Sequence, residues 1–140
     1  MKKLVFAAFA LCVATPAFAA EITVKVEGVK SQKGKIRCGL YVNGDGFPGD
    51  KAKVGKLVAP KGDSVQCVFS DVAPGTYAIA VMHDENGNGK MDSSWVGAPQ
   101  EPWGVSKNAP AHTFGPPTFD EAKFAVNEEP VTLQIRLNAP

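Results

Sequence analysis

Two segments near opposite ends of the chain alternate apolar and polar side chains with a period of two. "ITVKVEGV" puts Ile22, Val24 and Val26 on one face and Thr23, Lys25 and Glu27 on the other, and "VTLQIRL" aligns Val131, Leu133, Ile135 and Leu137 in the same way. That spacing is what a half-buried strand requires, because successive strand side chains point to opposite faces. The pattern predicts strands at 22–29, 35–42, 54–59, 64–69, 75–83, 122–127 and 131–137, separated by turn-rich pieces such as "NGDGFPGD", "APKGD" and "APG". No stretch sustains a long helical period. Seven short strands with turns between them predict an all-β, antiparallel, seven-stranded sandwich in which each sheet buries one face against the other, with a small closed barrel as the alternative.

The N-terminus indicates where such a sandwich works. Lys2 and Lys3 precede the apolar run "LVFAAFALCVA", and "AFA" at 17–19 offers the small residues a signal peptidase reads, so a secretory signal at 1–19, cut after Ala19, is expected. The run from Leu4 to Ala14 is too short to span a bilayer, which takes roughly 20 residues, and Thr15-Pro16 interrupts it. Bulky Leu11 before Cys12 argues against lipid attachment there. The expectation is a periplasmic or secreted single domain at 20–140 with no membrane span, long enough for one real core. Without Lys2 and Lys3 it carries 13 Lys+Arg against 14 Asp+Glu, and no basic cluster remains. Nucleic acid and anionic membrane, which need concentrated positive charge, are excluded as partners on that ground.

Cysteine usage agrees with export. Beyond Cys12 only Cys38 and Cys67 occur, and each alternates with apolar neighbours: Ile36, Leu40 and Val42 for the first, Val65 and Phe69 for the second. Both thiols should point inward, and in an oxidising compartment an even pair predicts a disulfide, with two buried reduced cysteines as the alternative.

Residues 84–119 break the strand rhythm. Ten of them are Gly or Pro, and Trp95, Trp103, His112 and Phe114 are spread along the segment, with at most a short strand at 94–97. Irregular connections this long are often binding loops. The four side chains are therefore candidate ligand contacts, the plainer alternative being that they pin the loop to the sandwich.

The segment opens on "HDENGNGKMD". With Asp84 as position 1 of a calcium loop, side-chain oxygens fall at positions 1, 3, 5 and 9 (Asp84, Asn86, Asn88, Asp92), the Lys90 carbonyl is available at position 7, and Gly89 takes the sharp bend at position 6. Position 12, where the full pattern has a bidentate Glu, is Trp95, so water or a distant acid would have to replace it. With two charged ligands, a site would belong to the ~10⁻⁴ to 10⁻³ M class. On this reading Asp84→Ala abolishes calcium binding and costs little stability otherwise. The plainer alternative is a polar turn, since Asn86-Gly87 and Asn88-Gly89 are turn signals in their own right.

Four blocks, "KGKIRCGLYVNGDGFPG", "VAPGTYAIAVMHDENGNGKMD", "PWGVSKNA" and "GPPTFDEAKFAV", occur in an order that resembles the small exported bacterial proteins grouped as domain of unknown function 2141. The resemblance covers nearly all of 20–140. It implies a prealbumin-like sandwich, of the same general architecture as immunoglobulin-like domains, and supplies no biochemical activity. "PGTYAIAV" is also similar, locally, to the carboxypeptidase-regulatory and collagen-adhesin B-type repeats, sandwich modules that stabilise, space or bind.

The leading expectation is thus an exported, non-catalytic binding or accessory module. Its partner would be an envelope or extracellular carbohydrate or protein, and calcium its one candidate cofactor. A small hydrolase or metal-dependent enzyme using His83 and His112 is the rival reading, and a purely structural envelope protein the third. The rival lacks a marked nucleophile, since there is no GxSxG elbow and no HExxH, and His83 reads equally as a cap on the sheet end. It requires the two histidines to converge in one cleft with an acid, as a zinc site built on them would.

Overall fold

In the computed structural model, which describes residues 19–140, eight strands form two sheets. They are β1 (Ala20–Glu27), β2 (Lys35–Tyr41), β3 (Val54–Val58), β4 (Ser64–Val72), β5 (Gly75–Asp84), β6 (Trp103–Val105), β7 (Phe124–Val126) and β8 (Val131–Arg136). The smaller sheet runs β4-β1-β8 and the larger β3-β2-β5-β6, while β7 pairs with the start of β5. All but Ala19 of the expected signal segment lies outside the described residues. Among the described residues no helix is long and apolar enough to cross a membrane.

The sandwich was legible, but several of its details were not, among them β6, which makes eight strands of the expected seven. The sheets are not purely antiparallel: β1 and β8, neighbours in the smaller sheet, run parallel, Ile22 opposite Val131 through Glu27 opposite Arg136. The segment expected as one strand at 122–127 is split. Phe119–Ala122 forms a single helical turn, α1, closed by a capping box between Thr118 and Glu121, and only Phe124–Val126 remains extended.

Alternation builds the core as predicted. Ile22, Val24 and Val26 of β1, Ile36, Cys38 and Leu40 of β2, Val65, Cys67 and Phe69 of β4, and Tyr77, Ile79 and Val81 of β5 all meet between the sheets. Cys38 and Cys67 lie there too, each 1% exposed, with their sulfurs 1.97 Å apart and their Cα atoms 6.5 Å apart. Since β2 belongs to the larger sheet and β4 to the smaller, this bond ties one sheet to the other.

The larger sheet is buried on its outer face as well. Tyr41, Ala78, Ala80, Val105, Ala109 and Ala122 form a second cluster, covered by Phe47, Ala52, Trp103 and Phe119. Edge-to-face rings run from Tyr41 to Phe47 (5.0 Å) and on to Phe119 (5.9 Å), joining the loop after β2 to the start of α1. The Tyr41 hydroxyl donates to the Gly49 carbonyl, and burial together with nearby Asp50 pushes its pKa up to about 12. It therefore remains a donor at any ordinary pH. At the free edge of β5, β7 covers Gly75–Tyr77 and β6 covers Ala80–Met82; between them the Ser106 hydroxyl accepts from the Ile79 amide (2.9 Å) and donates to the Ala122 carbonyl (2.7 Å). A fully buried hydroxyl thus fills the gap in the ladder.

The disulfide closes a loop of 29 residues, which in the chain-entropy account contributes about 3 to 4 kcal/mol. The native protein should therefore resist alkylation until reduced. Replacing both cysteines with alanine should lower the unfolding free energy by about that amount, measured by denaturant titration; reactive thiols in the native protein would contradict the pairing.

Candidate functional site

Along β5, Tyr77, Ile79, Val81 and His83 face the inter-sheet core, so Ala78, Ala80, Met82 and Asp84 face outward. Asp84 closes the strand on that outer face. Arg37 of β2 lies opposite Met82, which makes Asp84 its diagonal neighbour. Arg37 Nε donates to Asp84 Oδ2 at 2.7 Å, and the Asp84 side chain is fully buried while the Arg37 side chain remains about one-third exposed.

The loop after β5 winds around this carboxylate. The Gly89 amide donates to Asp84 Oδ2 at 2.9 Å and the Asn88 amide to Oδ1 at 3.1 Å. Two Asx turns continue the arc, with Asn88 N–H on Asn86 Oδ1 and Lys90 N–H on Asn88 Oδ1, both at 3.1 Å. Gly89 takes the left-handed bend predicted for it, at φ 82, and it lies so close to Arg37 that a Cβ there would sit 3.4 Å from the guanidinium. Gly34 matters similarly from the other side: at φ 67 it presses against the end of β5, where a Cβ would collide with the Asp84 carbonyl at 1.9 Å.

Asp84, Asn86, Asn88 and Asp92 are joined by hydrogen bonds within the loop, and in this arrangement the loop satisfies itself. The side-chain amides of Asn86 and Asn88 donate to the two oxygens of Asp92, the second at 2.8 Å. A cation entering here would have to exchange those N–H donors for the amide oxygens. Lys90 contributes its amide to the Asx ladder.

The sequence pattern offered no acid at position 12, and the structure supplies a brace from farther along. Glu101 is only 4% exposed; one oxygen accepts from the Glu85 amide (3.1 Å) and the other from the Asp92 amide (3.2 Å), which fastens both ends of the loop. No local motif marks Glu101, which sits between Gln100 and Pro102 in a stretch without periodicity.

Burial alone would raise the pKa of Asp84. The Arg37 hydrogen bond, the Gly89 amide, the Arg37 charge and the Gly87 amide together outweigh it, and the group is held below its ordinary value. The expectation that Asp84→Ala costs little stability is thereby corrected: the side chain is a fully buried hub that satisfies a guanidinium and two backbone amides.

The four loop residues separate into two kinds. Ser94–Gly97 is not a strand. It is the turn of a hairpin formed by residues 92–100, closed by Gly97 N–H on the Ser94 carbonyl (2.9 Å), Ser94 N–H on the Ala98 carbonyl (2.8 Å) and a bridge between Ser93 and Pro99. Trp95 stands at its tip, 97% exposed, next to exposed Val96. Phe114 is 99% exposed at a second tight turn, where the His112 amide donates to the Gly115 carbonyl at 2.9 Å. Trp103, by contrast, belongs to β6 and packs on the outer core. His112 Nε2 donates to Glu121 Oε2 at 2.9 Å. The Thr118 amide, that histidine contact and the Thr118 hydroxyl lower Glu121 to about 2, so the carboxylate is ionised and only accepts.

His83 and His112 do not form one constellation. His83 is fully buried and donates Nε2–H to the Lys33 carbonyl at 2.8 Å, whereas His112 is half-exposed and held by Glu121. Among the described residues no three His, Cys, Asp or Glu side chains gather to hold a metal ion. A cation at the 84–92 loop would thus rest on amide and carbonyl oxygens beside its two aspartates.

Residues 24–134 match DUF2141, described as an uncharacterized protein conserved in bacteria. The chain belongs to the DUF2141 family. The match takes in the Asp84 hub, the Trp95 hairpin and the Phe114 turn of this DUF2141 protein, in agreement with the resemblance seen in its sequence blocks. Neither the curated proteins nor the solved structures contain a match to it.

Removing the hub should have a measurable cost. Asp84→Ala in this DUF2141 protein is expected to lower the unfolding free energy by about 1 to 3 kcal/mol, the range for stranding buried hydrogen-bond partners. Because the folded pKa is depressed, the contribution is fully present above the unfolded value of about 3.9 and is lost as pH falls through the folded value. The stability gap between native protein and Asp84→Asn should be constant near neutrality and should shrink in acid. A gap that widened in acid would reverse the sign.

Proposed function

We propose that this protein is an exported, non-catalytic binding module. It holds an envelope or extracellular partner, carbohydrate or protein, against the aromatic turn tips of the 84–119 segment, and a weak calcium site stiffens the loop beneath them. The observation that carries the reading is the near-complete exposure of Trp95 and Phe114 on two hydrogen-bonded turns. Large apolar rings gain nothing from water. Fixed on short turns, they lose little entropy when a partner covers them, and an aromatic face suits both the C–H face of a sugar ring and an apolar protein side chain.

Export is supported by the N-terminal pattern and by the Cys38–Cys67 pair at bonding distance, a linkage favoured outside the reducing cytosol. The calcium component is supported by the spacing of Asp84, Asn86, Asn88 and Asp92 and by the left-handed Gly89 at the bend.

Immobilised native protein should capture a partner from periplasmic extract or a glycan array, and Trp95→Ala/Phe114→Ala should lose that capture while keeping its melting temperature. Equal capture by the two would reject the tips as the contact. For calcium, a concentration tenfold above a dissociation constant of ~10⁻³ M should raise stability by about 1.4 kcal/mol, seen as an upward shift in melting temperature that Asp84→Ala does not show. An unchanged native melting curve at that concentration would remove calcium from the account.

A further inference from the structure

We propose that Asn86-Gly87 is a self-modifying site: its spontaneous deamidation replaces a hydrogen-bonded amide with a carboxylate and converts the loop from a self-satisfied turn into a tighter cation site. The modification stands on the loop's own chemistry. Its effect on affinity rests on the calcium reading above.

Deamidation requires the backbone nitrogen of the following residue to attack the asparagine Cγ. Gly87 is exposed, and having no side chain it leaves the approach open. The Asx turn folds the Asn86 side chain back over the Gly87 peptide, and the Asn88 N–H already on Asn86 Oδ1 at 3.1 Å polarises the carbonyl and can stabilise the oxyanion that attack creates. Gly87 N gives its proton to solvent base and bonds to Cγ; the Cγ–Nδ2 bond breaks and ammonia leaves with a proton from solvent, forming a cyclic imide. Water then opens the imide. Attack at Cγ restores the normal backbone with Asp at 86, and attack at the main-chain carbonyl leaves an isoaspartyl link. The net change is one water consumed and one ammonia released.

Asn88-Gly89 is the same dipeptide in a different setting. Its nucleophile, the Gly89 amide, is held on Asp84 Oδ2 at 2.9 Å, pinned away from Asn88 Cγ and harder to deprotonate beside a carboxylate. The Gly87 amide lies near the same carboxylate, but the backbone hydrogen bonds that fix Asp84 come from Asn88 and Gly89. Asn86 should therefore react first.

The consequence follows from Asp92. At present Asp92 receives N–H donors from both Asn86 and Asn88. An Asp at 86 withdraws one donor and sets two carboxylates face to face, a repulsion that a bound cation relieves, and affinity in oxygen-ligand loops rises with the number of charged ligands.

The test uses the purified native protein, aged in warm neutral buffer made with heavy-oxygen water and mapped by peptide mass spectrometry, followed by calcium titration. Label should enter at residue 86 before residue 88. Calcium should bind Asn86→Asp roughly tenfold or more tightly than the native chain, while Asn43→Asp, a new carboxylate at the Asn43-Gly44 dipeptide outside this loop, should leave the affinity unchanged. Residue 86 staying unlabelled in the folded protein while the denatured chain reacts would overturn the modification. Calcium binding to the native chain with no gain in Asn86→Asp would overturn its consequence. Label at 86 with no calcium binding by any form would uphold the modification and sink the calcium reading instead.

Discussion

Strand β5 is covered on both faces, and the position of everything else follows from that. Its inner residues Tyr77, Ile79 and Val81 complete the core between the sheets, and its outer residues Ala78 and Ala80 are small because Tyr41, Val105, Ala109 and Ala122 press against them. Its last outward side chain, Asp84, is fully buried as well. A buried carboxylate is tolerated only when paired and hydrogen-bonded. Arg37 and the amides of Asn88 and Gly89 meet that requirement.

The exposed tips depend on the same constraint. The loop wraps Asp84, and Glu101 clamps its start and end through the Glu85 and Asp92 amides. The Asp92 carbonyl accepts from the Gln100 amide at 2.8 Å, which closes the hairpin that carries Trp95. A continuous set of hydrogen bonds thus runs from the end of a core strand to a fully presented indole. The ring is held out by a scaffold and is not left over by a floppy loop, which is the arrangement expected where rigid elements position a contact surface.

Much of the fold could be read from alternation, because Ile22, Val24 and Val26 or Ile36, Cys38 and Leu40 announce a buried face without knowledge of their partners. β6 escaped because Trp103–Val105 is three residues between Pro102 and a buried Ser106, too short to show a period, and α1 because a four-residue turn shows none either. The parallel pairing of β1 with β8 joins segments about a hundred residues apart, and pattern alone does not reveal strand direction. At the site, the spacing of oxygens and the bend at Gly89 were legible, but the burial of Asp84 was not. It depends on the register that sets Arg37 opposite Met82, and Glu101 joins through contacts that no local motif records.

The central claim is that the 84–92 loop is a fixed extension of β5 through Asp84. Amide hydrogen exchange tests it most directly, since the Asn88 and Gly89 amides have the Asp84 carboxylate as their acceptor. In the native protein both should exchange far more slowly than in a free peptide. In Asp84→Ala both should lose that protection while the Ile79 and Val81 amides of the same strand keep theirs. Free exchange of Asn88 and Gly89 in the native protein, or unchanged protection after Asp84→Ala, would contradict the account.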